Sequence, residues 1–187
     1  MTSINSKRRA ADEAKTALFQ ATVEGASRCG LADLSMQEIA TMAGFTKGGL
    51  YHHYSSKEEL IDAVFDKCLA DFGEAIDAYI KDDPEIHGRF SRAYIRAAVD
   101  TCISGNTAPS LFTFSALADK KYAFKWDAWV SAKLGEYPDE QHSPVMRIAR
   151  SAADGLWLQC YGMRLPEEKR AVTADICARL VALTLPD

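Results

Sequence analysis

Apolar residues recur at intervals of three or four positions through most of this chain, which is the spacing of one face of an α-helix. The longest regular run follows Lys57, and its apolar members are Ile61, Val64, Phe65, Cys68, Phe72, Ile76 and Tyr79. No stretch shows the sustained alternation with β-branched residues that is typical of strands. The pattern therefore predicts an all-α protein.

Capping residues divide this pattern into separate helices. The first helix is expected over about residues 7–29, and Gly30 ends it. Ser35-Met36-Gln37-Glu38 has the order of a capping box, in which a serine side chain and a glutamate three residues later satisfy each other's backbone N–H groups. Thr46 can cap the next helix, and Ser56-Lys57-Glu58-Glu59 has the order of a second capping box.

The second half of the chain is also predicted to be helical. Asp83-Pro84 resembles a cap followed by proline at the first helical position, as do Ser143-Pro144 and, more loosely, Pro166-Glu167. Helices are expected near residues 84–104, 107–117, 119–135, 143–163 and 166–184. The segments around Pro109 and Gly135 read as loops between them.

Two adjacent glycines, Gly48 and Gly49, lie at the start of the short helix that Thr46 would cap. Each glycine inside a helix costs roughly 1 kcal/mol relative to alanine, so their position calls for a reason. Two short helices joined by a tight turn at Gly44-Phe45 form a helix-turn-helix, whose second helix enters the DNA major groove N-terminus first. Glycines there allow the backbone to approach DNA closely and add to the anion-binding character of the helix start.

Charge and cysteine content narrow the class of protein. The net charge is −4, but residues 1–57 hold seven Lys/Arg against five Asp/Glu, so a mildly basic head precedes an acidic body. The five cysteines are scattered without the spacing of a zinc site, and no cofactor or metal is expected. No apolar run approaches the about 18 residues that span a bilayer, and the basic start lacks the apolar region of a secretory signal. A cytoplasmic protein without a membrane partner is predicted.

Residues 35–60, SMQEIATMAGFTKGGLYHHYSSKEEL, closely resemble the DNA-binding head of the TetR/AcrR family of transcriptional regulators. Family members share an IA..AG turn, then KG.LY.HF, then SKEEL, and the resemblance covers roughly residues 14–72. It implies a three-helix head over residues 1–56 and a helical effector-binding and dimerisation domain over residues 57–187. Gly25 stands where the first helix often has a bulkier apolar residue, so looser packing is expected there.

The resemblance also implies which residues contact operator DNA. Lys47, Gly48 and Gly49 face the groove, although Gly49 lacks the small hydroxyl group that often contacts phosphate at that position. The other predicted DNA-binding residues donate to phosphates or reach base edges, and they are Gln37, Thr46, Tyr51, His52, His53 and Lys57.

Beyond Tyr79 the resemblance fades, and only Asp154-Gly155-Leu156-Trp157-Leu158 looks like a motif of one branch. In the family, the last two helices pack against those of a second copy. Here the expected apolar stripes are Val145, Ala149, Ala152, Leu156, Cys160 and Met163 on one helix, and Val172, Ile176, Leu180 and Leu183 on the other. The alternative is that these stripes belong to the core of a single chain.

Aromatic residues are concentrated in the middle and penultimate helices, which fits a pocket for a small apolar or aromatic effector. Asp100 has two alternative positions, facing that pocket or on a solvated helix face, and the solvated face is expected. The predicted effector-binding residues are Tyr94, Phe112, Phe114, Trp126, Trp129, Trp157 and Tyr161.

The sequence thus predicts a homodimeric, ligand-responsive repressor of a near-palindromic operator. One alternative is a helix-turn-helix regulator without a small-molecule effector, or one that activates. A more remote alternative is a small helical hydrolase that uses a cysteine or serine with His52 or His53, but no GxSxG elbow or metal-ligand spacing appears, and no catalytic residue is assigned.

Overall fold

The computed structural model describes residues 2–105, 107–160 and 165–186, with the side chains of residues 2–5 and 7 outside that description. Within these ranges the chain forms ten helices and no strand, which confirms the all-α prediction. The helices are α1 Thr2–Asp33, α2 Met36–Met42, α3 Lys47–His53, α4 Lys57–Asp82, α5 Arg89–Ser104, α6 Ala108–Leu117, α7 Lys120–Leu134, α8 Pro138–Gln141, α9 Pro144–Gln159 and α10 Glu167–Ala182.

Helices α2 and α3 begin and end as the sequence predicts, whereas α1 begins at Thr2 rather than near residue 7 and continues to Asp33 beyond the predicted end at Gly30. Gly30 interrupts α1 with a φ of 80°. Ser35 Oγ accepts from the Glu38 N–H at 3.2 Å and the Glu38 carboxylate accepts from the Ser35 N–H at 2.8 Å, which completes the capping box. Gly44 turns the chain with a φ of 75°, and Thr46 Oγ1 accepts from the Gly49 N–H at 3.0 Å at the start of α3. The helix-turn-helix therefore follows directly from local sequence signals.

The second predicted capping box is only half formed. Ser56 Oγ accepts from the Glu59 N–H at 3.1 Å, as expected at the start of α4. The Glu59 carboxylate instead accepts from the N–H of Ser55 at 2.7 Å and from its hydroxyl at 2.6 Å. The hydroxyl of Ser55 offers an extra donor one residue earlier, and the carboxylate uses it.

The predicted helix start at Asp83-Pro84 is wrong, because α5 begins at Arg89 after Gly88. The buried Arg92 side chain donates to the Asp83 carboxylate at 2.6 Å and to carbonyl oxygens of Glu85 and His87, which holds this segment in a loop. A Cβ at Gly88 would lie 2.2 Å from the carbonyl oxygen of Thr184, so the C-terminal end of the chain packs against this loop. The short helix α8 lies within a segment that the sequence pattern assigned to a loop.

Helix α4 joins the head to the body, because it contributes to a core that both share. Leu60, Val64 and Phe65 of α4 are buried together with residues from α1, α2, α3 and α6. The expected loose packing at Gly25 is not found: Leu34 occupies that space, and a Cβ added to Gly25 would lie 2.6 Å from its Cδ1.

A second core lies between α5, α9 and α10, and it corrects the predicted apolar stripes. Ala149, Leu156 and Leu180 are buried in this intramolecular core with Ile95 and Val99 of α5. The same two helices leave large apolar side chains exposed on other faces, namely Val145, Ile148, Leu158, Val172 and Leu183. Met163 lies outside the described residues.

Helix α7 is held along α4 by ion pairs between lysines of α7 and acidic residues of α4. The pairs are Lys121 with Glu58 and Asp62, Lys125 with Asp66, and Lys133 with Asp77. Exposed pairs of this kind contribute little stability each, but together they fix the side-by-side position of the two helices. In the part of the chain that the structure describes, no helix has both the length and the apolar composition needed to cross a bilayer.

Candidate DNA-binding surface and effector cavity

The short helix α3 presents a polar surface because its apolar side chain points inward. Leu50 is fully buried in the head core and anchors the helix. On the outer side, Lys47, His52 and Tyr51 are exposed, with 44% of the Tyr51 side chain accessible. These donors lie at the end of the helix-turn-helix that enters the major groove in proteins of this architecture.

The two glycines of α3 have different surroundings. A Cβ added to Gly48 would meet no atom within 4 Å, so the fold itself gives no steric reason for glycine there. A Cβ on Gly49 would lie 3.2 Å from the Thr46 Oγ1 that caps the helix and 3.6 Å from the ring of Phe45. Internal packing therefore accounts in part for Gly49, whereas Gly48 is open towards the outside.

Three predicted DNA-binding residues have contacts within the chain. The Lys57 ammonium donates to the carbonyl oxygens of Leu31 at 2.6 Å and Ala32 at 3.1 Å, which leaves one of its three N–H donors for another partner. The His53 ring packs edge-on against Phe45, with centroids 5.8 Å apart. The Gln37 amide donates to the Thr41 hydroxyl at 3.4 Å, and its side chain is exposed on α2.

A cavity of about 580 Å³ lies in the body between α4, α5, α6, α7 and α9. This volume is within the range of small-molecule sites, which is about 300–1,000 Å³. Aromatic rings from three helices form much of its wall, and the members are Phe72, Tyr79, Trp126 and Trp157. Burial raises the pKa of the Cys68 thiol in the same wall to about 12, so this group is uncharged there at neutral pH.

Two of the predicted effector-binding residues, Trp126 and Trp157, line this cavity. Two others contact residues of the wall without lining the cavity themselves. The centroid of the Phe114 ring is 4.1 Å from that of Trp157, and the centroid of the Trp129 ring is 5.8 Å from that of Phe72.

The remaining predicted effector residues are placed differently. The Tyr94 ring is buried, and its hydroxyl donates to the Asp154 carboxylate at 2.6 Å. Burial raises the pKa of the Asp154 carboxyl group. Tyr94 of α5 contributes to this burial, because its hydroxyl contacts the carboxylate directly. Phe112 is fully buried in the core that the head and body share, so it does not reach the cavity. Tyr161 lies outside the described residues.

Sequence reasoning missed two aromatic residues of the wall, Phe72 and Tyr79, both on α4. Their helical spacing was correctly read as an apolar face, but the spacing does not distinguish packing against a core from bordering a cavity. Asp100 also borders the cavity while remaining exposed, so its carboxylate is both solvated and part of the wall.

The architecture described above is that of a DNA-binding transcriptional regulator, with a helix-turn-helix head on a helical body. Residues 15–64 match the family model described as bacterial regulatory proteins, tetR family, and residues 88–185 match the model described as tetracyclin repressor-like, C-terminal domain. The chain belongs to the TetR family. This assignment confirms the resemblance found in the sequence and the prediction that the protein is a regulator rather than an enzyme.

Individual relatives agree with this assignment along most of the chain. The HTH-type transcriptional regulator BetI 1 of Chromohalobacter salexigens is 32% identical over 163 residues, which cover 76% of each protein. A TetR family transcription regulator from Marinobacter aquaeolei VT8 has the same fold, with a TM-score of 0.71 at 15% identity over 92% of this chain and 97% of that one. The multidrug binding protein EbrR, solved in complex with malachite green, gives a TM-score of 0.66 at 18% identity, over 92% of this chain and 98% of that one.

Proposed function

We propose that this regulator is a cytoplasmic homodimeric repressor that leaves a near-palindromic operator when a small apolar or aromatic molecule enters the body cavity. Two recognition helices would occupy successive major grooves, about one helical turn apart. The residues proposed to contact DNA remain those predicted above, with Lys47, Gly48, Tyr51 and His52 the most open to an outside partner.

Continuity of α4 between the two sites is the observation that carries this proposal. The first turns of α4 bury Leu60, Val64 and Phe65 in the head core. Two to four turns later the same helix supplies Phe72 and Tyr79 to the cavity wall. A molecule that displaces these rings would therefore shift the helix on which the head is packed. Coupling between such sites is typically about 1–3 kcal/mol.

A second copy of the chain is the proposed partner of the exposed apolar surface on α9 and α10. Ile148 and Val172 are 64% and 60% exposed, and in the described part of the chain they are two of five large apolar side chains that are exposed on or directly next to α9 and α10. Exposed apolar surface of this extent is typical of a protein–protein contact. A Cβ on Gly155 would meet no atom within 4 Å, so α9 also allows close approach of another helix at this point. A symmetric four-helix contact of this kind would hold two heads at a fixed separation.

The two candidate functions differ in whether the cavity has an occupant that acts on DNA binding. EbrR, a multidrug binding protein with the same fold, was solved in complex with malachite green, and this favours an effector for the present chain. The alternatives are a regulator without a small-molecule effector and an activator. The aromatic wall of the cavity argues against a regulator without an effector.

The test measures both sites in one preparation of the full chain. Duplexes that the protein selects from a random-sequence pool serve as the operator, and aromatic compounds are screened for tryptophan quenching and for release of this DNA. Linkage requires that a compound that weakens operator binding tenfold must itself bind tenfold more weakly to the operator complex. Compounds that bind the cavity without any change in operator affinity would refute the ligand response.

A further inference from the structure

The wall of the body cavity contains carboxylates but no basic side chain of its own. Asp71 of α4 and Asp100 of α5 both border the cavity. Among the described residues that line it, none is lysine, arginine or histidine. A cavity with this arrangement attracts positive charge and repels carboxylates and phosphates.

The two carboxylates are not equivalent. Asp71 is paired with Lys67 one turn earlier on α4, so part of its charge is already balanced. Asp100 instead accepts a hydrogen bond from the hydroxyl of Tyr79. Burial, and then the hydrogen bond to Asp100, raise the pKa of Tyr79 to about 12, so the phenol stays neutral and donates at physiological pH. The charge of Asp100 is therefore stabilised but not neutralised by its partner.

Arg96 precedes Asp100 by four residues on α5, but it does not pair directly with this carboxylate. The guanidinium group of Arg96 lies 5.9 Å from the centroid of the Tyr79 ring and is not part of the cavity wall. Within the described part of the chain it forms no ion pair with Asp100. The C-terminal turn of α5 and the first turn of α6 both border the cavity, and their helix dipoles place partial charges of opposite sign there.

Aromatic rings adjoin these carboxylates and provide the apolar part of the wall. The Trp126 ring stacks on Phe72 with centroids 5.8 Å apart and on Trp157 with centroids 5.6 Å apart. The π-electrons of tryptophan and phenylalanine also attract cations at close range. Stacked rings bind flat apolar molecules, and the neighbouring carboxylate makes a positive charge on such a molecule favourable.

We infer that the cavity selects organic cations with a flat aromatic ring system, and that the Asp100 carboxylate recognises the positive charge. This inference rests on the proposed function and narrows its effector from apolar or aromatic molecules in general to cationic ones. The ring system of the ligand contacts Trp126 and Trp157, and its charged end lies near Asp100.

The test uses three probes that have two linked rings and differ in charge. 1-Methyl-4-phenylpyridinium is a permanent cation, 4-methylbiphenyl is its neutral isostere, and biphenyl-4-carboxylate is an anion. Their binding to the full chain is measured by equilibrium dialysis, which does not depend on the optical properties of the probes. The cation is expected to bind at least about tenfold more tightly than the neutral probe, and the anion most weakly.

Asp100→Asn removes the charge and keeps an acceptor for the Tyr79 hydroxyl. It is expected to weaken binding of the cation about tenfold while binding of 4-methylbiphenyl stays within about twofold. Asp127→Asn is the matched control, because this exposed residue of α7 lies outside the cavity wall and the variant has the same change in net charge. Asp71→Asn is expected to have a smaller effect than Asp100→Asn, since Lys67 already pairs with Asp71.

Equal binding of the cation and its neutral isostere would overturn the inference, as would an unchanged affinity for the cation in Asp100→Asn. Tighter binding of the anion, or no binding of any probe, would overturn it as well. If the neutral or anionic probe both binds and releases operator DNA, the proposed function stands and only the ligand class is wrong. A cation that binds with the expected charge selectivity but leaves the operator complex intact would support the ligand class and refute the proposed regulation.

Discussion

Replacing Gly48 with alanine tests whether this glycine serves DNA binding rather than the fold of α3. The Cβ of the new residue would meet no atom within 4 Å, and the backbone at Gly48 has no positive φ. Alanine should therefore stabilise the helix by about 0.5 kcal/mol, the lower end of the usual range because the site is in the first turn. For a chain of this size, that corresponds to a rise of about 1–2 °C in thermal midpoint.

Operator binding should change in the opposite direction. The added methyl group lies on the open side of α3, where it would hold the helix away from a phosphate or base edge. Loss of one hydrogen bond in each head costs about 1 kcal/mol, so a dimer with two heads loses about 2 kcal/mol. This is a decrease of about thirtyfold in operator affinity, which is measured by fluorescence anisotropy at fixed salt concentration.

Gly73→Ala provides the matched control for this measurement. Gly73 is also inside a helix, α4, but its added Cβ would meet only the Trp129 ring at 3.4 Å and the Lys133 side chain at 4.0 Å, both within the body. This variant should gain stability and keep operator affinity. If Gly48→Ala binds operator within twofold of the wild type, or if its thermal midpoint falls, the explanation given for Gly48 is wrong.

Two paired comparisons test the other surfaces. Lys47→Ala should lower the slope of log affinity against log salt by about one unit for each head and leave stability unchanged. Lys57→Ala should lower the salt slope as well, and it should also lower stability by about 1 kcal/mol because it removes donors to the end of α1. Equal thermal midpoints of the two variants would contradict this. Ile148→Glu should give a folded monomer by analytical ultracentrifugation, whereas Leu180→Glu should unfold the protomer at a cost of several kcal/mol. A fully dimeric Ile148→Glu variant would remove this surface from the interface.

The fold of the head was predictable from the order of its residues. Its signals are local: the Ser35 capping box, the turn at Gly44 and the Thr46 cap each involve residues at most four positions apart. Short-range hydrogen bonds of this kind depend on the order of side chains and little on the rest of the fold. The same order carries the family resemblance, so the fold of the head and its class of function were both predictable.

The buried face of each body helix depends instead on contacts between residues that are far apart in the sequence. Leu180 and Val172 have the same apolar character and helical context, yet α5 covers the first and leaves the second exposed. Likewise, the loop after α4 depends on Arg92, which binds Asp83 and a carbonyl oxygen at the far end of the chain. The cavity arises because residues of five helices meet around a space that they do not fill. Periodicity identifies an apolar face, but the partner that covers this face is distant in sequence, and only the packing of the whole chain determines it.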